Sequence, residues 1–109
     1  MAPADKDLHV LSKCSEVVRS VCSEAGVIMF GSRARGDAGV QSDLDLLILL
    51  PDSVADQSIE NTIHRLLYNV SIDEERVIAI MIYSQSDWNH PVRRQSPFYQ
   101  TVIREGIAA

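Results

Sequence analysis

The sequence predicts an α/β protein of the α+β kind, with a small mixed β-sheet of at least three strands and helices packed on it. Two long segments repeat apolar residues at helical spacing, three short apolar runs have the length of strands, and turn residues separate them. A chain of 109 residues has room for one core, so we expect residues 1–109 to form a single domain.

The first half of the chain predicts one long helix and two strands. Residues 8–25 carry an apolar stripe at helical spacing, and Gly26 stands where a helix C-cap is expected. Residues 27–30 are an apolar run that ends in Gly-Ser, as a buried strand before a turn does. One helical turn fits SRARG, a polar loop covers 36–42, and the second strand occupies 43–50 until a proline stops it.

The second half predicts a helix, a strand and a last helix. From Ser53 onward apolar residues repeat at i, i+4, i+7, i+8 and i+11, which is the stripe of a second long helix. Residues 77–83, VIAIMIY, are apolar at every position, which predicts a strand covered on both faces. Ser96 and Pro97 are a favoured N-cap and N1 pair for the last helix, and Gly106 ends it.

Composition and charge argue against several classes of protein. The net charge of −5 argues against a broad nucleic-acid surface. No segment has the ~20 apolar residues that span a bilayer, and the N-terminus lacks a basic region followed by an apolar stretch. We therefore expect a soluble, cytoplasmic protein without membrane contact.

The cysteines and histidines do not suggest a disulfide or a zinc site. Cys14 and Cys22 would lie about 12 Å apart on the first helix, which is too far for a disulfide, so both are interpreted as core residues. The three histidines show no spacing typical of zinc ligands and are assigned structural or surface roles; they are His9, His64 and His90.

The pair Gly31-Ser32 lies where the first strand meets a helical turn. Backbone N–H groups at such a point are unpaired and attract anions, and glycine lets a phosphate approach the backbone closely. The Ser32 hydroxyl can donate to a phosphate while its oxygen caps the turn. On its own, however, a Gly-Ser pair is usually an ordinary turn with an N-cap serine.

Two aspartates, Asp43 and Asp45, open the second predicted strand. Side chains two positions apart on a strand share a face, with Cβ atoms roughly 6.6 Å apart, so the two carboxylates repel unless a cation lies between them. A lone Asp-x-Asp is often turn chemistry. Beside Gly31-Ser32 on the neighbouring strand it predicts a magnesium site, because Mg²⁺ binds one or two carboxylates together with substrate phosphates. A nucleoside triphosphate is the simplest ligand for both motifs.

With GSRARG, SDLDLLIL and SPFYQTVIREG in this order, the chain resembles the nucleotidyltransferase superfamily, and especially its minimal nucleotidyltransferase branch. The resemblance implies a polymerase β-like fold and transfer of a nucleotide from a triphosphate to a protein or RNA hydroxyl, with release of pyrophosphate; ATP is the expected triphosphate. It implies that Gly31 and Ser32 grip the triphosphate, and that Asp43 and Asp45 bind Mg²⁺, with two ions beside the bound nucleotide. It also implies a helical HEPN protein as partner, in an antitoxin–toxin pair.

Two arginines follow the serine. Arg33 and Arg35 could each reach the β- or γ-phosphate oxygens of a nucleotide. Each could equally be a solvated cation or a partner of Asp37. We rank Arg33 first as a nucleotide-binding residue.

The sequence departs from the resembled family at one point. Competent members usually carry a third acidic residue on the strand beside the Asp-x-Asp strand, whereas 77–83 has none. The upstream residues Asp73, Glu74 and Glu75 are better explained as a solvated turn than as ligands. Nucleotide binding is therefore predicted more firmly than catalysis, and the alternative is a catalytically weak or inactive nucleotide-binding or protein-binding antitoxin.

The polar stretch 84–99 has the tryptophan and two arginines that interfaces often contain. The favoured explanation is a connection that packs Trp88 on the core. Arg93 and Arg94 could meet an acidic partner or the phosphates of an acceptor, and the sequence leaves this open.

Overall fold

The computed structural model describes residues 2–39 and 42–109. The larger helices and strands occur in the predicted order. Three short elements, two helices and one strand, are additional to the prediction. The elements are α1 (Asp5–Val21), β1 (Gly26–Phe30), α2 (Ser32–Arg35), β2 (Leu44–Leu50), α3 (Gln57–Asp73), β3 (Ile78–Ser84), α4 (Gln85–Trp88), α5 (Pro91–Arg94), α6 (Pro97–Glu105) and β4 (Ile107–Ala108).

The four strands form one mixed sheet in the order β3-β2-β1-β4. Strand β2 runs antiparallel to β1 and parallel to β3, and α3 makes the crossover that a parallel pair requires. In this register Asp45 lies between Phe30 on β1 and Ala79 on β3. The predicted α/β class and mixed sheet are confirmed.

Alternate side chains of the strands point to two different layers. One face, here called the α1–α3 face, packs on those two helices around Val18, Leu46 and Leu67. The other, here called the aromatic face, packs Leu47 against Trp88 and the side chains of α6. The sheet is therefore a central layer, with the two long helices α1 and α3 on one face and the shorter helices α4 and α6 on the other.

The first helix begins and ends earlier in the chain than predicted, and its proposed C-cap is wrong. Helix α1 ends at Val21, and Gly26 is instead the first residue of β1. A turn separates the two elements, because the N–H of Ala25 donates to the carbonyl of Cys22 and the Arg19 Nε donates to the carbonyl of Ala25 at 3.2 Å.

Strand β3 is not covered on both faces, contrary to the prediction. It is one of the two edge strands of the described sheet, with β2 as its neighbour. The side chains of Val77 and Met81 are 67% and 39% exposed. An all-apolar run predicts a strand that is covered on both faces. Here α4 and α6 cover the aromatic face beside Tyr83, and the beginning of β3 stays exposed on that face.

The connection after β3 confirms the favoured explanation for its tryptophan. Trp88 is 4% exposed and stacks on the ring of Tyr99, with centroids 4.8 Å apart. Arg93 lies over the ring of Tyr83 at 4.3 Å. The last helix begins as predicted, because the Ser96 hydroxyl accepts from the N–H of Tyr99 at 3.2 Å.

Both cysteines are free thiols; Cys14 is fully buried and Cys22 is half-buried against the same core. Within residues 2–39 and 42–109, no helix combines the length and apolar character needed to cross a membrane.

Candidate active site

Gly31 brings the end of β1 into contact with the start of β2. It precedes α2 as the N-cap residue, with φ +78°, a conformation that L side chains rarely adopt. A Cβ atom at this position would collide with the Asp45 carboxylate and lie 3.4 Å from its Cγ. The backbone of the Gly-Ser motif and one carboxylate of the Asp-x-Asp motif are therefore in direct contact.

Ser32 is the first residue of α2 rather than its cap, so the predicted capping role is wrong. The N-cap position belongs to Gly31, which has no side chain, and no side-chain cap is seen on this turn within the described chain. The first backbone N–H groups of a helical turn have no partner within the turn. The half-buried Ser32 lies beside these donors.

The two aspartates occupy different environments at the start of β2. Asp43 is exposed and immediately precedes the strand, which begins at Leu44, one residue later than predicted. Asp45 is half-buried on the aromatic face, opposite Phe30 and Ala79. Among the predicted site residues, the contact that the structure establishes is between Gly31 and Asp45.

The electrostatics of Asp45 favour a cation beside it. Burial raises the pKa of the Asp45 carboxyl, the negative charge of Asp43 raises it further, and the positive charge of Arg35 lowers it. Both aspartates offer carboxylate oxygens, the donors that Mg²⁺ prefers. No third His, Cys, Asp or Glu joins them as a metal-binding cluster within 2–39 and 42–109.

Arg35 is held at the rim of the site by two carboxylates. It donates to Glu105 at 3.0 Å and to Asp37 at 3.2 Å, and pairing with Asp37 is one of the alternatives that the sequence left open for it. Glu105 comes from the end of α6, so this ion pair joins the Gly-Ser turn to the last helix. Sequence reasoning missed Glu105, because nothing in its local pattern places it near residue 35.

Arg33 is engaged within the protein. Its Nη2 and Nε donate to the carbonyl of Ser42 at 2.9 and 3.3 Å, and its Nη1 lies 3.6 Å from the carboxylate of Asp7. Asp7 is a buried residue of α1 that also pairs with Arg76. Sequence reasoning missed Asp7 as well, and a nucleotide contact by Arg33 stays a prediction.

The register locates the position that lacks a third acidic residue. Ala79 is the residue of β3 directly opposite Asp45, and the neighbouring Val77 is exposed at the start of the strand. Of the upstream acidic residues, Glu74 pairs with Lys13 of α1 at 2.8 Å, and Asp73 and Glu75 are exposed. The position that faces Asp45 from β3 is therefore apolar.

Comparison with known proteins agrees with this architecture. The model of the nucleotidyltransferase domain family matches residues 11–97. A provisionally assigned nucleotidyltransferase from Sulfolobus solfataricus has a similar fold, with a TM-score of 0.56 at 17% sequence identity, over 95% of this chain and 82% of that one. None of the curated proteins matches. The chain belongs to the nucleotidyltransferase domain family and has the features of a minimal nucleotidyltransferase.

Proposed function

We propose that this protein is a Mg²⁺-dependent nucleotidyltransferase that moves a nucleoside monophosphate from a triphosphate, ATP in the first instance, to a hydroxyl of a protein or RNA acceptor. The contact between the Gly31 backbone and the Asp45 carboxylate carries the proposal. The contact brings the Gly-Ser turn close to the Asp-x-Asp carboxylates, which supports the proposal that one ligand binds to both. A triphosphate chelated to magnesium has both of the groups that such a site would bind.

Each site residue has a distinct role in this proposal. Gly31 lets the phosphates approach the backbone, and the Ser32 hydroxyl donates to a phosphate oxygen. Asp43 and Asp45 would hold Mg²⁺, with two ions present when the nucleotide is bound. The metal would supply charge neutralisation to the attacking and leaving oxygens in an in-line displacement.

The donor set fits magnesium. Both residues supply hard oxygen ligands, and the burial that raises the pKa of Asp45 makes an unneutralised pair unfavourable. Arg35, tethered by Glu105, places one positive charge near the pair. Arg33 remains a candidate for phosphate binding, although it would have to leave the Ser42 carbonyl to reach a ligand.

A second candidate function follows from Ala79. With an apolar residue opposite Asp45, the protein provides two carboxylates where competent relatives are expected to have three. A nucleotide-binding antitoxin with little or no turnover would keep the same turn and the same pair of aspartates. The two functions differ in turnover and share the nucleotide site.

The proposed partner is a helical HEPN protein, and the proposed location is the cytoplasm. Exposed apolar side chains on α3 support a protein partner: Tyr68 and Ile72 are 64% and 57% exposed. Tyr68 also lines a groove of about 430 Å³ between α3 and β3. Co-expression with the product of a neighbouring reading frame and co-purification would test the pairing.

The decisive experiment combines binding and turnover. Calorimetry with Mg-ATP should show binding by the parent, whereas Asp43→Ala and Asp45→Ala should abolish it and remain folded. Incubation with α-labelled triphosphates, Mg²⁺ and the partner protein then separates the two functions. Label on the acceptor identifies a transferase, and binding without label identifies the antitoxin. Equal nucleotide affinity in the parent and both variants would refute the metal assignment.

A further inference from the structure

We infer that Asp7 is a positioning residue for the site. Through Arg33 it holds the carbonyl of Ser42, and with it the start of β2 where the two aspartates lie. The inference rests on the proposed function, because it concerns the carboxylates proposed to bind metal.

The burial and pairing of Asp7 are the first part of the argument. Its side chain is 4% exposed, and a carboxylate so deeply buried is unfavourable unless cations pair with it. Its two oxygens are divided between two arginines: Oδ1 accepts from Arg76, and Oδ2 lies 3.6 Å from Nη1 of Arg33. The charge of Asp7 therefore neutralises Arg33 and attracts the Nη1 side of its guanidinium.

Arg33 uses the remaining edge of the same guanidinium to hold the chain before β2. Its Nε and Nη2 both donate to the carbonyl of Ser42. A guanidinium is planar and rigid, so the ion pair of Nη1 with Asp7 restrains the direction of the edge that donates to Ser42. Ser42 is joined by one peptide bond to Asp43, so Asp7, Arg33 and Ser42 form a continuous support for the first carboxylate.

A parallel contact joins this support to β3. Arg76, on the other oxygen of Asp7, directly precedes Val77, whose carbonyl accepts from the N–H of Leu44 at 3.0 Å. The backbone is thus held on either side of Asp43, at Ser42 by Arg33 and at Leu44 by Val77. Partners that orient ligands in this way commonly contribute tenfold or more to metal affinity.

The test uses Mn²⁺ alone as the probe, without nucleotide, and measures free Mn²⁺ by electron paramagnetic resonance. Asp7→Asn and Arg33→Gln should each weaken Mn²⁺ binding about tenfold. The double variant should bind no more weakly than either single one, because Asp7 acts through Arg33. Parent-like affinity of Asp7→Asn, or additive losses in the double variant, would overturn the inference.

Two variants control for general damage. Lys13→Gln removes a different ion pair of α1, with Glu74, and should keep parent affinity for Mn²⁺. Arg33→Lys keeps the positive charge beside Asp7 but loses the two hydrogen bonds of the planar guanidinium to the Ser42 carbonyl. It should therefore weaken Mn²⁺ binding as Arg33→Gln does. It also replaces Asp7→Asn as the decisive variant if that protein does not fold.

A second measurement separates this inference from the proposed function. If the parent binds no Mn²⁺, or Asp43→Ala binds it normally, the metal assignment fails, and hydrogen exchange then decides on Asp7 alone. The amide of Leu44 should exchange at least about tenfold faster in Asp7→Asn or Arg33→Lys than in the parent. Unchanged exchange at Leu44 would overturn the positioning role whatever the metal results show.

Discussion

The two faces of the sheet differ in how far their cover extends. On the α1–α3 face, all the side chains that β2 contributes are fully buried; they are Leu44, Leu46, Ile48 and Leu50. On the aromatic face, Leu47 and Leu49 are buried, but Asp45 is half-buried and Asp43 is exposed. The aspartates lie where the cover of α4 and α6 ends, so the protein keeps a continuous core and an accessible pair of carboxylates on one strand.

The largest expected effect is a gain of activity on the aromatic face. Ala79→Asp puts a carboxylate opposite Asp45, which would complete the metal site and supply a general base. General-base catalysis typically contributes 10²–10⁴-fold in rate, and we expect a gain of this order in label transfer from α-labelled ATP. In the absence of metal, the added charge should lower the free energy of unfolding.

Met81→Asp is the matched control for this gain. It lies on the same face of β3 but opposite Leu47, so it should leave transfer unchanged. If the parent already transfers nucleotide at about 1 s⁻¹ or faster, as ordinary enzymes do, then another group supplies the third ligand and this interpretation of β3 is wrong.

The second prediction compares how much one side chain on each face of the sheet contributes to the free energy of unfolding. Leu46→Ala should lower the free energy of unfolding by about 2–5 kcal/mol, because Leu46 is fully buried on the α1–α3 face. Met81→Ala should cost about 1 kcal/mol or less, because Met81 is 39% exposed. Urea denaturation measures both, and equal losses would show that the aromatic face is also closed in solution.

The third prediction concerns the close approach at Gly31. Gly31→Ala should cost about 1–3 kcal/mol of stability through the positive φ, and should weaken Mg-ATP binding by displacing the Asp45 carboxylate. Gly26→Ala is the control, since its Cβ would meet Leu49 at an ordinary 3.6 Å. Thermal unfolding and calorimetry report the two effects, and normal nucleotide affinity in Gly31→Ala would place the phosphate site elsewhere.

The smallest expected effect is a pH dependence at the rim of the α1–α3 face. The hydrogen bond and charge of Lys13 lower the pKa of Glu74, and Glu74 raises the pKa of Lys13. The pair therefore stabilises the fold between the two titrations. Its contribution is lost as the pH falls through the lowered value of Glu74 and as the pH rises through the raised value of Lys13.

Lys13→Gln should accordingly be slightly less stable than the parent near neutral pH. The difference in free energy of unfolding should shrink as the pH is lowered below the usual range of glutamate. Urea denaturation at several pH values measures it, and a difference that grows on acidification would contradict the assignment.

Much of the fold could be predicted from local pattern. The apolar run that became β2 and the helical stripe that became α3 are strong, periodic signals, and Ser96-Pro97 marks the start of α6 correctly. The strand β4 has two residues and no such signal. The exposure of β3 could not be predicted, because an apolar run specifies burial in general and cannot tell an edge strand from a central one.

The site was predictable only in part, for a related reason. Gly31 and Asp45 stand out because their residue types carry specific chemistry at the ends of two strands. Asp7 and Glu105 act through arginines that are distant in sequence, and only the tertiary fold brings them to Arg33 and Arg35. Ion pairs between residues so distant in sequence produce no periodic pattern from which a single sequence could predict them.

The pairing of β1 with β4 has a consequence for folding during synthesis. Residues 28 and 29 of β1 pair with residues 108 and 107, so one edge of β1 stays open until residues 107 and 108 have left the ribosome. The turn at Gly31, β2 and the parallel strand β3 can assemble earlier, because all their residues emerge first. The Arg35–Glu105 ion pair closes at the same late moment as β4. We therefore expect nascent chains to hold the proposed nucleotide site nearly formed while one sheet edge is still open to misassembly.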